Sequence, residues 1–338
     1  MWKKPVIAAA VALLGISAFA GAANARDLKM SLYLNENHFL AAKVFIPMGK
    51  NIEEFTKGEI KVQVYPSSVL GKAPAQLELV ETGIADMAFV VPSYTRGRFP
   101  FYESGTLPFA FESAAHGAAV YKSLLDKYLT PSFGSVHPLV VAVSEPSGLL
   151  MAKKPITGLD QVKGLTIRGS SSEQTKIMGE VGANTVSIPI TDTYVALERG
   201  TIDGVIVPVG SAVGYKLEEV SKFYTPMYFA ATPVCLVISK TVWDSFTPEQ
   251  QAAVTKAADI AQKTIGVAYA ESEGEGTKVF EKAGGKVVSM PDSDLDKLRE
   301  MARPLWDEFE ANLAKQKSPE QAKAFMADFR KAIEDNRP

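Results

Sequence analysis

The chain has 338 residues, with 36 basic and 38 acidic side chains, a formal charge of −2 and one cysteine, Cys235. Near-balanced charge leaves no electrostatic footprint for nucleic acid or an anionic membrane, and a lone cysteine excludes an intramolecular disulfide framework. The length is enough for two lobes, each with a core of its own.

Lys3 and Lys4, the apolar run Val6 to Ala20, and Ala23-Asn24-Ala25 have the layout of a secretory signal peptide. The run falls short of the roughly 20 apolar residues that span a bilayer, which disfavours the alternative of an uncleaved anchor. Cleavage after Ala25 would start the mature, exported chain at Arg26.

Leu28 to Leu34 reads as a strand, followed by a helical stretch interrupted by Pro47 and closed at Gly58. Glu59 to Tyr65 alternates apolar positions at Ile60, Val62 and Val64 and reads as a second strand. A helix over Ala73 to Thr82 feeds the segment Val80-Glu-Thr-Gly-Ile-Ala-Asp-Met-Ala-Phe-Val-Val-Pro92, a helix end, a glycine, an aspartate and an apolar strand stopped by proline. This β-α-β-α-β order predicts parallel pairing. A helix near Ser113 to Leu129 and a buried strand Leu139 to Val143 follow, and a second lobe is predicted to begin around Pro146.

In that lobe Leu165 to Arg168 is a short strand, and Ser171 to Val181 a helix opened by a capping box of Ser171 and Gln174. A helix from Asp192 to Arg199 leads into Leu197-Glu-Arg-Gly-Thr-Ile-Asp-Gly-Val-Ile-Val-Pro208, which echoes the first segment about one small domain later. Phe223 to Ser239 is strand-rich and could return the chain to the first lobe. Pro248 to Gly284 could form one helix of ~50 Å bracing both lobes. It could equally form two helices with a turn near Gly274, because mid-helix glycines are costly. A small strand, Lys286 to Met290, and two amphipathic helices split at Ser318-Pro319 complete the chain. The predicted class is α/β with two lobes: residues 26–145 plus 234–272 in lobe I, residues 146–233 plus 273–338 with the C-terminal helices in lobe II.

Catalytic and metal chemistry find little support. His38, His116 and His137 are far apart, no cofactor or metal motif occurs, and no carboxylates stand out as an acid/base couple. Cys235, in the apolar run Pro233 to Ile238, reads as a buried inert thiol. Arg168 stands out. It ends the strand Gly164-Leu-Thr-Ile-Arg168 and precedes Gly169-Ser-Ser-Ser172 and a helix, at the strand end where open α/β sheets bind ligands. A guanidinium there offers a planar fork matched to a carboxylate, and the small residues beside it leave room. A structural arginine paired with a surface acid is the alternative.

The chain resembles the extracytoplasmic solute receptors of tripartite ATP-independent periplasmic (TRAP) transporters. The resemblance rests on Tyr65-Pro-Ser-Ser-Val-Leu-Gly71, Gly83-Ile-Ala-Asp-Met-Ala88, Leu107-Pro-Phe109, Leu159-Asp-Gln-Val-Lys-Gly-Leu-Thr-Ile-Arg168 and Tyr194-Val-Ala-Leu-Glu-Arg-Gly-Thr-Ile-Asp-Gly204, in family order across most of the mature chain. It implies a two-lobed periplasmic binding protein of type II-like fold that performs no covalent chemistry, uses no cofactor or metal, closes on a small organic acid and delivers it to membrane permease subunits. It also implies that Arg168 is the carboxylate clamp.

Several positions depart from the pattern of sugar-acid-binding members. Glu145-Pro-Ser-Gly-Leu-Leu-Met151 lacks their second arginine, Val207 replaces an asparagine, Val90-Val91-Pro92 replaces a polar end, and Tyr33 stands where a small polar residue is common. A buried hydroxyl left unpaired costs about 1–3 kcal/mol, so an apolar wall disfavours a polyhydroxylated ligand. The expected ligand is a monocarboxylate with an apolar or aromatic body, against Tyr33, Val91, Ser93, Arg168, Ser170, Ile190, Val207, Pro208 and Phe229. The alternatives are a small hydroxy, keto or sugar acid met by Ser170, Ser211 or water, and a protein that presents its ligand to a membrane sensor.

Overall fold

The computed structural model describes residues 25–338, so the expected signal peptide, apart from Ala25, lies outside the described residues. The strands from the first half of the chain are β1 (Arg26–Ser31), β2 (Ile60–Tyr65), β3 (Met87–Val90), β4 (Val136–Val143), β5 (Gly148–Met151) and β6 (Thr166–Gly169). Those that follow are β7 (Asn184–Ser187), β8 (Gly204–Val207), β9 (Phe223–Thr225), β10 (Pro233–Ser239) and β11 (Lys286–Val287). They form two sheets, ordered β2-β1-β3-β10-β4 and β11-β9-β5-β8-β6-β7. The first three strands pair in parallel, as β-α-β connections require.

Each sheet contains one reversed strand, β10 in the first and β5 in the second. The reversals mark where the chain changes lobe: it leaves the first sheet after β4, enters the second at β5, and returns from β9 into β10. The two crossovers run side by side. Ser144 N–H donates to the Thr232 carbonyl at 2.9 Å and Ser147 N–H to the Ala230 carbonyl at 2.7 Å. Thr232 N–H donates in return to Ser144 Oγ at 3.0 Å.

Helices α1 (Ile46–Phe55), α2 (Gln76–Glu81) and α3 (Ala114–Leu124) belong to the first lobe; α4 (Ser172–Glu180), α5 (Thr193–Glu198) and α6 (Val209–Gly214) belong to the second. Both echoed segments behave alike. The chain leaves α2 and α5 through Gly83 (φ 74°) and Gly200 (φ 69°), left-handed positions that cost glycine little, and enters β3 and β8.

After the short α7 (Lys240–Asp244), the segment that could have been one helix or two is one: α8 (Pro248–Lys282), 35 residues opened by a capping box of Thr247 and Gln250. It packs on α1, α3 and β4 of the first lobe and on α6 of the second. Two of its glycines are the points of closest approach. A Cβ on Gly266 would sit 2.9 Å from Ala115 Cα on α3, and one on Gly276 2.6 Å from Gly210 Cα on α6. Gly274 faces open space and does not break the helix.

The last helices are α9 (Asp292–Gln316) and α10 (Pro319–Asp335). The sequence put both with lobe II, but they divide. Leu298, Ala302 and Leu305 of α9 join the core of the second sheet, whereas Phe325 and Phe329 of α10 join the first lobe's aromatic cluster. There Phe325 packs 4.9 Å from Phe101, and Phe329 meets Phe111 and Tyr121. An aromatic face finds its partners where the other rings already are.

Other differences are local. Strands β5 and β7 were not anticipated: β5 is a short run after Pro146-Ser147, and β7 is a half-exposed polar edge. Only half of the expected capping box forms on α4. Ser171 Oγ accepts Gln174 N–H at 3.3 Å, but Gln174 Oε1 accepts from Ser170 N–H at 2.7 Å rather than from the cap. No helix among the described residues is long and apolar enough to cross a membrane.

Candidate functional site

The carboxyl ends of β1, β3, β6 and β8 converge on a cavity between the sheets that is partly open to solvent. Tyr33, Phe89, Val91 and Tyr94 reach it from the first lobe; Arg168, Ser170, Ile190, Ile206, Val207 and Pro208 reach it from the second. The crossovers add Ser144 and Thr232, and α8 adds Tyr269.

Arg168 is 2% exposed, the largest buried charged side chain among the described residues. Strand β6 places it between Val186 of β7 and Val205 of β8, both apolar, so its side chain extends past the strand ends toward the cleft. Nε donates to the Ile188 carbonyl at 2.9 Å and Nη2 to the Tyr94 hydroxyl at 3.2 Å. Among the described residues neither these partners nor any ion pair brings it a carboxylate. A buried cation without a counter-charge is costly, and such a charge is ordinarily paired.

The groups around it are neutral. Burial, and then the neighbouring phenols of Tyr215 and Tyr94, push the Tyr33 hydroxyl well above the usual phenol range. Burial raises Tyr215 as well, with the Arg168 charge pulling in the opposite direction. His38 is pushed down to about 3 by burial, and its Nδ1 accepts Leu40 N–H at 3.2 Å, so the ring is uncharged near neutral pH. Among the described residues Arg168 is thus the one formal charge in the cavity wall.

The hydroxyls are mostly engaged. Ser170 Oγ lies 3.0 Å from Gln174 Oε1 and 2.9 Å from Thr232 Oγ1, and Ser144 Oγ donates to the Glu145 carbonyl at 2.9 Å. Leu40, Phe89, Val91, Ile190, Ile206, Val207 and Val234 supply an apolar remainder. Tyr33 stacks on Phe89 with centroids 5.4 Å apart, a flat surface that favours a planar body.

Of the residues expected from sequence, Tyr33, Val91, Arg168, Ser170, Ile190, Val207 and Pro208 line this cavity, as does Ser211. Ser93 and Phe229 do not. The turn Pro92–Tyr94 rotates Ser93 into a separate small cavity with Arg96, Glu103 and Ser172, and delivers Tyr94 instead. Phe229 is fully buried in the second lobe's core, and its carbonyl accepts Phe109 N–H at 2.7 Å. His38, Tyr94, Tyr215 and Tyr269 were missed, because helices and loops bring them to the cavity and no strand end signals them; Phe89 was missed although it lies within β3, one residue before that strand's end. Among the described residues no cluster of three or more His, Cys, Asp or Glu side chains could hold a metal ion. Cys235 is buried between β3 and β4, and burial raises its thiol.

Residues 30–312 match the family of bacterial extracellular solute-binding proteins, family 7. The 2,3-diketo-L-gulonate-binding periplasmic protein of Escherichia coli (strain K12) is 28% identical over 294 residues, covering 85% of this chain and 88% of that protein. A marine metagenome TRAP solute-binding protein specific for aromatic acid ligands, solved with 3-hydroxybenzoate, superposes with a TM-score of 0.86 at 24% identity, covering 93% of this chain and 99% of that one. A TRAP solute-binding protein from Rhodoferax ferrireducens T118, solved with copurified benzoate, gives 0.85 at 20% identity, over 92% and 98%.

Proposed function

This chain belongs to the bacterial extracellular solute-binding proteins of family 7, the receptors of TRAP transporters, and we propose that it captures a monocarboxylate with an aromatic or otherwise apolar body. One observation carries the reading: a buried guanidinium faces a largely apolar cavity with, among the described residues, no carboxylate beside it. A ligand carboxylate supplies the missing counter-charge, bound through the planar fork. The stacked Tyr33 and Phe89 and the valine and isoleucine walls then suit a ring rather than a polyol. The receptor carries the acid through the periplasm to membrane permease subunits and makes no covalent change to it. That two structurally similar receptors were solved with 3-hydroxybenzoate and benzoate supports the same ligand class.

A sugar or keto acid is the second reading, favoured by the diketogulonate-binding relative and by Ser211 on the wall. It is weakened by the internal bonds of Ser144, Ser170 and Thr232, which leave few hydroxyls for a polyol. A thermal-shift screen separates the two. An acid at 100 times its dissociation constant stabilises a one-site receptor by about 2.7 kcal/mol. Benzoate and hydroxybenzoates are expected to raise the melting temperature and glucuronate and galacturonate to leave it unchanged; the reverse pattern would overturn the aromatic reading.

A further inference from the structure

Tyr94 stands at the end of the turn after β3, in the first lobe, and its hydroxyl oxygen accepts two hydrogen bonds that both come from the second. Arg168 Nη2 donates to it at 3.2 Å and Ile190 N–H at 3.0 Å. A phenol oxygen that receives two donors has only its own hydrogen left to offer. Among the described residues no protein acceptor takes that hydrogen. Tyr94 and Arg168 share the cavity wall, so the free O–H and the unengaged N–H groups of the guanidinium serve the same space.

We propose that Tyr94 is an inter-lobe latch: its hydroxyl donates to the carboxylate of the bound acid while accepting from Arg168 and Ile190, so that anion capture and lobe closure become one event. This rests on the carboxylate reading of the site and adds a second donor to it, contributed by the opposite lobe. With the lobes apart, the oxygen loses both second-lobe donors, and the guanidinium holds the acid from one side only. With the lobes together, the two donors converge on one carboxylate, and Arg168 polarises the Tyr94 O–H toward it. Tyr94 is therefore a positioning and ligand-contacting group whose effect falls on release more than on encounter.

The test compares wild type with Tyr94→Phe, using benzoate as probe, by stopped-flow kinetics and small-angle X-ray scattering. The variant keeps the ring and loses only the oxygen. The dissociation rate should rise on the order of 10- to 100-fold, the association rate should change little, and compaction at saturating benzoate should be reduced. Benzamide, which lacks the negative charge, should lose less than benzoate from the same substitution. Equal dissociation rates and equal compaction in the two proteins would overturn the latch. If wild type ignores benzoate but binds 2,3-diketogulonate, the aromatic reading fails and the same comparison runs on that acid. If wild type binds no carboxylate at all, both readings fail.

Discussion

Asp86 and Asp203 make the same pair of hydrogen bonds in two different sheets. The Asp86 carboxylate accepts Lys29 N–H at 2.7 Å while its own N–H donates to the Lys29 carbonyl at 2.9 Å. The Asp203 carboxylate accepts Thr166 N–H at 2.8 Å, and its N–H donates to the Thr166 carbonyl at 2.8 Å. The aspartate of each echoed segment thus fastens β3 to β1 and β8 to β6, setting the register of the strand pair that faces the cavity.

From this equivalence, Asp86→Ala and Asp203→Ala should cost similar amounts, about 1–3 kcal/mol each, since a bond from a backbone donor to a charged acceptor is lost. Chemical denaturation measures both. A large cost at one position and none at the other would show that the shared motif does not do the same work twice.

Arg168→Met should separate binding from stability. The substitution removes a buried charge that has no anionic partner, so the ligand-free melting temperature should hold or rise. Affinity for the bound acid should fall by about 2–5 kcal/mol, on the order of 30- to several thousand-fold. Calorimetric titration and a thermal melt on the same preparation give both values. A protein that loses binding only because it unfolds would contradict the assignment.

Glu145 sets a pH dependence. Burial on the first crossover pushes its carboxyl up to about 7, Glu273 adds to the rise, and the Ala114 N–H, which it accepts at 3.2 Å, opposes it. The folded protein therefore holds this proton more tightly than the unfolded chain does. Its contribution is fully present below about pH 4.5 and is lost as pH rises through about 7. Glu145→Gln should match wild type near pH 4.5 and be the more stable by on the order of 3 kcal/mol at pH 8. Urea midpoints at the two pH values decide it, and a variant equally weakened at both would refute the assignment.

Glycines of α8 should respond in opposite directions. Gly274 faces open space, so Gly274→Ala should stabilise by about 0.5–1 kcal/mol. Gly276→Ala places a methyl against the Gly210 backbone at 2.6 Å and should destabilise, because α6 and α8 must separate. Melting temperatures of the two variants, side by side, check the contrast.

Much of the arrangement was legible in the sequence because it rests on local signals. Glycine after a helix, aspartate before a strand and proline at its end located both echoed segments, and a strand-terminal arginine followed by small residues located Arg168. Tyr94 was not legible, because a one-residue rotation in the turn Pro92–Tyr94 exchanges it with Ser93, and its partners lie in the other lobe. Phe229 was expected to line the cavity, but it packs in the second lobe's core beside Phe109. The continuity of α8 could not be settled by propensity. It follows from close packing at Gly266 and Gly276, where the absent side chains let two helices approach.

The paired crossovers have one more consequence. Ser144, Ser147, Ala230 and Thr232 satisfy their backbone groups with each other across the two connecting segments. These bonds tie the connecting segments to each other, outside the strands of either sheet. If the cavity holds a carboxylate as proposed, a hinge at this pair would break no strand pairing, and contacts across the cavity, the bound acid's among them, would set how long the lobes stay together.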